Sequence, residues 1–361
     1  MARFARFFLL AILFLASSAT TQGASEKATD KATDKATAEA VKLGFTTDKG
    51  ATMTRAAAEQ RPVLAFFTTE WCSWCRRLEA DVLSTPGFQE GSASWLKLVI
   101  DAEKGDGVDW AKRFHVRGYP TLILLDAQGQ EIDRQSGYSP MPDFLNTFQN
   151  FAAGVGTLKS MQAELATQPA NHALALKVAR KEADRGEGEA ATTRLKAIVA
   201  ADPDNGSGVA DEAQAELAQQ AFMASKDPQV LEQVLERWPQ VEQGPEIYNI
   251  LVGMASKAGD EDRMRNLLNR MVDQYPDNAE LLNSYAWTCA EKGWDLEKAE
   301  TIAARAVELS KGDPGIMDTL AELQFRRGKV DAAVATIRQA LAKRPGDSYL
   351  EGQLKRFQAK N

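Results

Sequence analysis

Cys72 and Cys75, two of the three cysteines in this 361-residue chain, stand two residues apart in "EWCSWCRRLE" (70 to 79), with Trp71 before them and Trp74 between them. That spacing admits three chemistries: a redox couple, half of a metal site, or a structural disulfide. A zinc site needs four ligands. The third cysteine, Cys289, lies in a distant helical stretch, and His115 alone cannot complete such a set. A purely structural bond across two intervening residues closes too small a loop to stabilise much. The redox couple is therefore favoured. A cysteine at a helix N-terminus lies near unpaired N–H groups and the positive end of the macrodipole, which lower its pKa. Cys72 is then expected as the exposed, attacking thiolate, and Cys75, one turn deeper, as the thiol that resolves a mixed disulfide.

Those roles require a strand that delivers the pair to a helix start. "PVLAFFTT" (62 to 69) is an apolar, partly β-branched and aromatic run suited to a strand buried on both faces. "CSWCRRLEADVL" (72 to 83) has helical spacing at Leu78, Val82 and Leu83. Further on, "LKLVID" (96 to 101) reads as a strand, "VDWAKRF" (108 to 114) as a helix, "TLILLD" (121 to 126) as a strand, and "AQGQ" (127 to 130) as a turn into "EIDRQSGY" (131 to 138). "PDFLNTFQNFAAG" (142 to 154) reads as a closing helix.

This order, the Trp-Cys-Ser-Trp-Cys run after a hydrophobic strand, and "VRGYPTLILLDAQGQE" (116 to 131) resemble the thioredoxin fold over residues 43 to 155. Within it the pattern is similar to the C-terminal thioredoxin-like domain of the bacterial thiol:disulfide interchange protein. The resemblance implies that Pro120 is cis and faces the cysteine pair, with the Tyr119 backbone presented to an extended substrate strand. Trp71 reads as both a hydrophobic lid and a contact surface, and Trp71 and Trp74 are candidate substrate contacts. Two departures matter. Phe66 stands where thioredoxins usually carry a buried aspartate that assists the resolving thiol, and Trp74 stands where they carry proline. Glu79, one turn after Cys75, is the candidate replacement proton carrier, its pKa raised by partial burial; the alternative is a solvated carboxylate paired with Arg76. Glu70 is expected to be solvated and His115 to cap a helix end.

The remainder of the chain sets the context. Arg3 and Arg6 precede an apolar run from Phe7 to Ala16, then small and polar residues, which reads as a signal peptide over 1–24 and places the protein outside the cytoplasm, periplasmic or secreted. That run is too short to span a bilayer, which needs about 20 residues. "EKATDKATDKATAEA" (26 to 40) has no apolar face, and residues 25–42 read as a disordered linker. A net charge of −7 leaves no basic footprint for nucleic acid.

From 157 to 361 the composition turns helical and alanine-rich. Gly186 to Pro203, Gly259 to Pro276 and Gly328 to Pro345 share one spacing, the period of a helix-turn-helix unit. Residues 314 to 345, with Leu320-Ala321, Gly328, Ala333, Ile337, Ala340 and Pro345, resemble the tetratricopeptide family. The stretch 281 to 307 fits with one insertion near Trp294, whereas 169 to 203 and 209 to 239 are degenerate; roughly five helix pairs and a cap from 347 are expected. Cys289 falls on an inward helix face as a buried apolar filler. The expected whole is an α/β thioredoxin fold followed by an all-α helical-repeat, tetratricopeptide-like solenoid. Its expected activity is thiol:disulfide exchange on protein thiols and disulfides, with the repeats recruiting a protein partner. No cofactor beyond the Cys72–Cys75 disulfide, no metal and no membrane span after processing are expected. The alternative is a non-catalytic adaptor, which has no need of both thiols.

Overall fold

The computed structural model describes residues 39–359, so the expected signal peptide and most of the expected linker lie outside the described residues. The linker's last residues, 39–42, are helical, and Ala40 is fully buried in one core with Phe45, so folded structure begins before residue 43. The chain divides into two compact units between Ala191 and Thr192.

The first unit is built on a four-stranded sheet ordered β2-β1-β3-β4. Strand β1 (Val63–Thr68) runs parallel to β2 (Leu96–Asp101) and antiparallel to β3 (Thr121–Leu125), which pairs antiparallel with β4 (Glu131–Ser136). Every residue of β1 is buried because both of its faces are covered. Alternation sends Leu64 and Phe66 into one core with Leu78, Phe144 and Phe148, and Val63, Ala65 and Phe67 into the other with Ala56, Ala111 and Phe114. The covering helices are α1 (Lys49–Glu59), α2 (Ser73–Leu78), α4 (Gly107–Arg113) and α5 (Asp143–Ala152), while α3 (Pro86–Gly91) leads into β2.

Two departures from the sequence-based expectation have local causes. Helix α1 buries only Thr52 and Ala56, a stripe too thin to show as apolar periodicity. The helix expected over 72–83 is α-helical only to Leu78, and Glu79–Leu83 form a π-turn in which the Ser84 N–H donates to the Glu79 carbonyl at 3.0 Å. The extra residue in the turn brings both Val82 and Leu83 into the core behind Leu78.

Strand β4 carries the less expected feature: Asp133 and Arg134 are buried, Asp133 completely. Their partners come from α6 (Leu158–Thr167) and α7 (His172–Asp184). Asp133 accepts from the Leu158 N–H at 2.6 Å and from Lys181 Nζ at 2.7 Å. Arg134 donates to the Asp184 carbonyl at 2.9 Å, and Arg185 donates to the Ile132 carbonyl at 2.7 Å. Arg185 Nε lies 3.1 Å from Glu131 Oε1, an ion pair without good hydrogen-bond alignment. The thioredoxin-like fold ends near Gly156, but this polar seam carries the compact unit on through the first helices of the alanine-rich region.

Helix α8 (Gly188–Ala201) spans the division between units. Beyond it come four helix pairs joined by short loops: α9 (Ala210–Ser225) with α10 (Gln229–Arg237), α11 (Gly244–Ala258) with α12 (Glu261–Gln274), α13 (Ala279–Lys292) with α14 (Leu296–Leu309), and α15 (Pro314–Arg326) with α16 (Val330–Lys343). Helix α17 (Ser348–Gln358) closes the series by burying Leu350 and Phe357. Fully buried alanines, among them Ala286, Ala299, Ala303, Ala321, Ala333 and Ala340, let paired helices approach. The insertion near Trp294 is accommodated by Gly293 in the left-handed region (φ 72°) and by the Arg265 guanidinium stacked 4.4 Å from the indole centroid. No helix among the described residues is long and apolar enough to cross a membrane.

Lys181→Met leaves the buried Asp133 carboxylate its backbone donors, the Leu158 and Arg134 N–H groups, but replaces its close cation with the Arg185 guanidinium at 3.8 Å. The expected cost is about 2–4 kcal/mol, toward the lower end for breaking a buried pair, read as a lower urea midpoint for the first unit.

Candidate active site

Strand β1 ends at Thr68, a short turn follows, and Cys72 falls at the N-cap of α2 with extended backbone (φ −70°, ψ 98°). Its Sγ accepts the Cys75 N–H at 3.1 Å. This is the capping role ordinarily filled by a serine or aspartate oxygen, here performed by sulfur. Cys72 and Cys75 are joined as a disulfide. Against the expectation of an exposed attacking thiol, Cys72 is only 3% exposed in this oxidised state and Cys75 only 1%. Capping turns the sulfur back over the helix end, into a core that includes Phe66, Leu78 and Val82.

Solvent is met instead by the flanking indoles, Trp71 at 66% and Trp74 at 52% exposure. Both are held. Trp71 Nε1 donates to Glu103 Oε2 at 2.9 Å, and its ring stands edge-on to Tyr119 at 6.0 Å. Trp74 leans on Tyr138 at 5.6 Å, with the Arg77 guanidinium over both rings at 5.3 and 5.0 Å. Asp81 fixes this stack by accepting from Arg77 Nε and from the Tyr138 hydroxyl, each at 3.2 Å.

The Tyr119–Pro120 bond is cis and Pro120 is buried. Thr121 stands opposite Phe67 in the antiparallel register, which brings this bond to the end of the sheet where β1 hands over to the Cys72 turn. Tyr119 packs on the same core as the cysteine pair. Trp71, Cys72, Trp74, Cys75, Tyr119 and Pro120 are thus brought to one end of the sheet. Glu103, Tyr138 and Arg77 join them without having been foreseen. Their signal is weak: single polar or aromatic residues in the loops after β2 and β4 and on an exposed helix turn.

Glu79 opens the π-turn and is partly buried. Burial pushes its carboxyl up to about 7, assisted by the negative charge of Glu39 and opposed by Arg76. The alternative pairing with Arg76 is not what the geometry gives, since Arg76 Nη1 donates to the Glu70 carbonyl at 3.0 Å. Glu70 itself is exposed and pairs with Lys104 at 2.8 Å. Phe66, in the position where thioredoxins usually carry an aspartate, is fully buried edge-on to Phe45 at 6.1 Å. His115 lies just beyond α4 with φ 52°. Cys289 is buried in α13, its thiol pushed up by burial. Among the described residues no group of three or more His, Cys, Asp or Glu is arranged to hold a metal ion.

Residues 50–152 match the thioredoxin-like domain family, so a thioredoxin-like domain with a CxxC pair precedes the helix pairs. Two of the curated relatives that match show how much of the chain is covered. One is a tetratricopeptide-repeat-containing protein of Pseudomonas aeruginosa, 30% identical over 115 residues, which are 30% of this chain and 20% of the relative. The other is the thiol:disulfide interchange protein DsbD of Cronobacter sakazakii, 33% identical over 99 residues, 26% of this chain and 17% of the relative. The matched segment therefore spans a fifth or less of those relatives' length. Among solved structures, a DsbH oxidoreductase aligns over 30% of this chain and 83% of its own at 18% identity and TM-score 0.28. A tetratricopeptide repeat protein from Parabacteroides merdae aligns over 52% of this chain and 72% of its own at 15% identity and TM-score 0.37. At those scores the fold assignment rests on the family match and on the elements described above.

The raised Glu79 pKa has a definite sign in stability. Below the ordinary value of 4.5 the group is neutral whether the chain is folded or not; as pH rises through about 7 the folded state must bury a charge and loses stability. Glu79→Gln is expected to flatten the pH dependence between those values and to stabilise the first unit at pH 8 by about 1–3 kcal/mol, measured by urea denaturation at pH 5 and pH 8.

Proposed function

We propose that the protein is an exported thiol:disulfide oxidoreductase acting on protein disulfides, with its helix pairs serving as the recruiting surface for a protein partner. The observation that carries this reading is the placement of the Cys72–Cys75 disulfide at the N-cap of α2, beside two exposed tryptophans and the Tyr119–Pro120 bond. The similarity to DsbD, a thiol:disulfide interchange protein, supports it. Export rests on the basic and apolar pattern of residues 1–24.

In the reducing direction the Cys72 thiolate attacks one sulfur of a client disulfide, forming a mixed disulfide and releasing the other client sulfur as thiolate. The Cys75 thiol, deprotonated by Glu79, attacks Cys72 Sγ. The second client sulfur then leaves and takes up the proton that Glu79 received from Cys75, while the first client thiolate takes its proton from solvent. The client gains two electrons and two protons, and the Cys72–Cys75 bond is remade. The Cys75 N–H that caps Cys72 Sγ serves the thiolate in the same geometry. A carboxyl titrating near 7 suits proton exchange at neutral pH. Trp71 and Trp74 offer apolar contact area, and the extended backbone at Tyr119 offers strand pairing to a flexible client segment.

The reading is tested by Cys75→Ser, which removes the resolving thiol. Clients should accumulate as mixed disulfides on Cys72, visible as adducts on non-reducing gels and absent from Cys72→Ser. In the reduced wild-type chain, limited alkylation should label Cys72 well ahead of Cys75 and of the buried Cys289. A protein whose Cys72 is reactive but forms no adducts is not acting on protein disulfides.

A further inference from the structure

Gly186, Gly259 and Gly328 hold the same place in the repeat spacing, and all three have positive φ, +84°, +70° and +77°. A glycine just past a helix end needs no further reason than that conformation. At Gly259 and Gly328 a Cβ would meet nothing within 4 Å. At Gly186 it would stand 2.4 Å from His115 Cγ and 2.7 Å from both Cδ2 and Nδ1. The imidazole ring is seated directly on the Gly186 backbone.

His115 is the first residue of the segment that ends in Tyr119 and Pro120, and it too is in the left-handed region. The other end of that segment reaches the same helix. Asp184 accepts from Ser136 Oγ with both carboxylate oxygens at 3.1 Å. Ser136 Oγ lies 3.4 Å from Thr121 Oγ1, which donates to the Gly118 carbonyl at 2.8 Å. The Gly137 N–H donates to the Pro120 carbonyl at 2.8 Å. Arg134, on β4, donates to the Asp184 carbonyl. The C-terminal turn of α7 therefore touches the segment at its start and supports it at its end, within one compact unit.

We infer that the Asp184–Gly186 turn of α7 is a positioning element for the 115–120 segment, with Gly186 present so that His115 can seat against it and hold Tyr119 against Trp71. The inference rests on the oxidoreductase reading in taking Tyr119 and Pro120 as the client-binding edge. The first helices after the thioredoxin-like fold then tune client binding while leaving the cysteine pair's own reactivity alone. None of Asp184, Gly186 or His115 is placed in the exchange chemistry.

The test uses the full chain with Gly186→Ala, and Gly259→Ala as the control that adds similar backbone strain in open space. Insulin serves as the protein disulfide and dithiothreitol as the reductant. Gly186→Ala is expected to raise KM for insulin about tenfold while kcat and the rate at which dithiothreitol reduces Cys72–Cys75 stay within about twofold of the control. His115→Gly removes the ring, and the double variant is expected to be no worse than His115→Gly alone, because both act through one contact. Additive losses, an unchanged KM, or an equal loss in dithiothreitol reduction would each overturn the inference. If the wild-type chain does not turn over insulin, the oxidoreductase reading fails, and the indole N–H resonance of Trp71 in the oxidised chain decides the positioning claim by itself. It should move in Gly186→Ala and stay in Gly259→Ala; an unmoved resonance overturns the claim.

Discussion

The Cys75 N–H pointing at Cys72 Sγ is the interaction on which the rest of the site depends. It exists because β1, buried on both faces, delivers the chain to a helix start with a cysteine at the N-cap. A sulfur in that position closes its bond to Cys75 without leaving the cap. In the reduced chain it would face N–H groups that favour thiolate. The same geometry buries the sulfur, so what solvent meets first are Trp71 and Trp74, braced by Glu103 and by the Arg77–Tyr138–Asp81 stack.

A second constraint comes from the edge of the sheet. Strand β4 offers a buried aspartate and a buried arginine where an edge strand would normally meet water. Helices α6 and α7 supply the ammonium, the N–H and the carbonyl that make this burial tolerable. The helical region thus begins as part of the thioredoxin-like unit before it continues as repeats. This explains why residues 169 to 203 depart from the repeat pattern: α7 answers to the sheet, with Lys181, Asp184 and Arg185 spent on β4.

Elements whose burial is strong and periodic were legible in the sequence. The strand of six consecutive buried residues at Val63–Thr68, the helix pair at 314 to 345 and the CxxC turn are all set by local pattern, and the structure has them within a residue or two. Helix α1, with two small buried residues, had no such pattern to read. The helical spacing of Leu78, Val82 and Leu83 announces their burial but not the π-turn at Glu79, because the apolar pattern does not mark the one extra residue in the turn. The burial of Cys72 follows from cap geometry and not from residue type. Glu103, Tyr138 and Arg77 enter the site from separate segments, and Asp133 reads as a surface residue until Lys181 is placed beside it.

The central claim is that Cys72–Cys75 is a working redox couple and not a fixed crosslink. Its most direct test is a redox titration of the full chain in dithiothreitol and glutathione buffers, followed by the tryptophan fluorescence of the site and by thiol alkylation. The account predicts a reversible two-electron transition with a midpoint between about −120 and −270 mV, the span of disulfide-exchange catalysts. A disulfide that stays oxidised to potentials below about −300 mV, or whose reduction cannot be reversed, would contradict it.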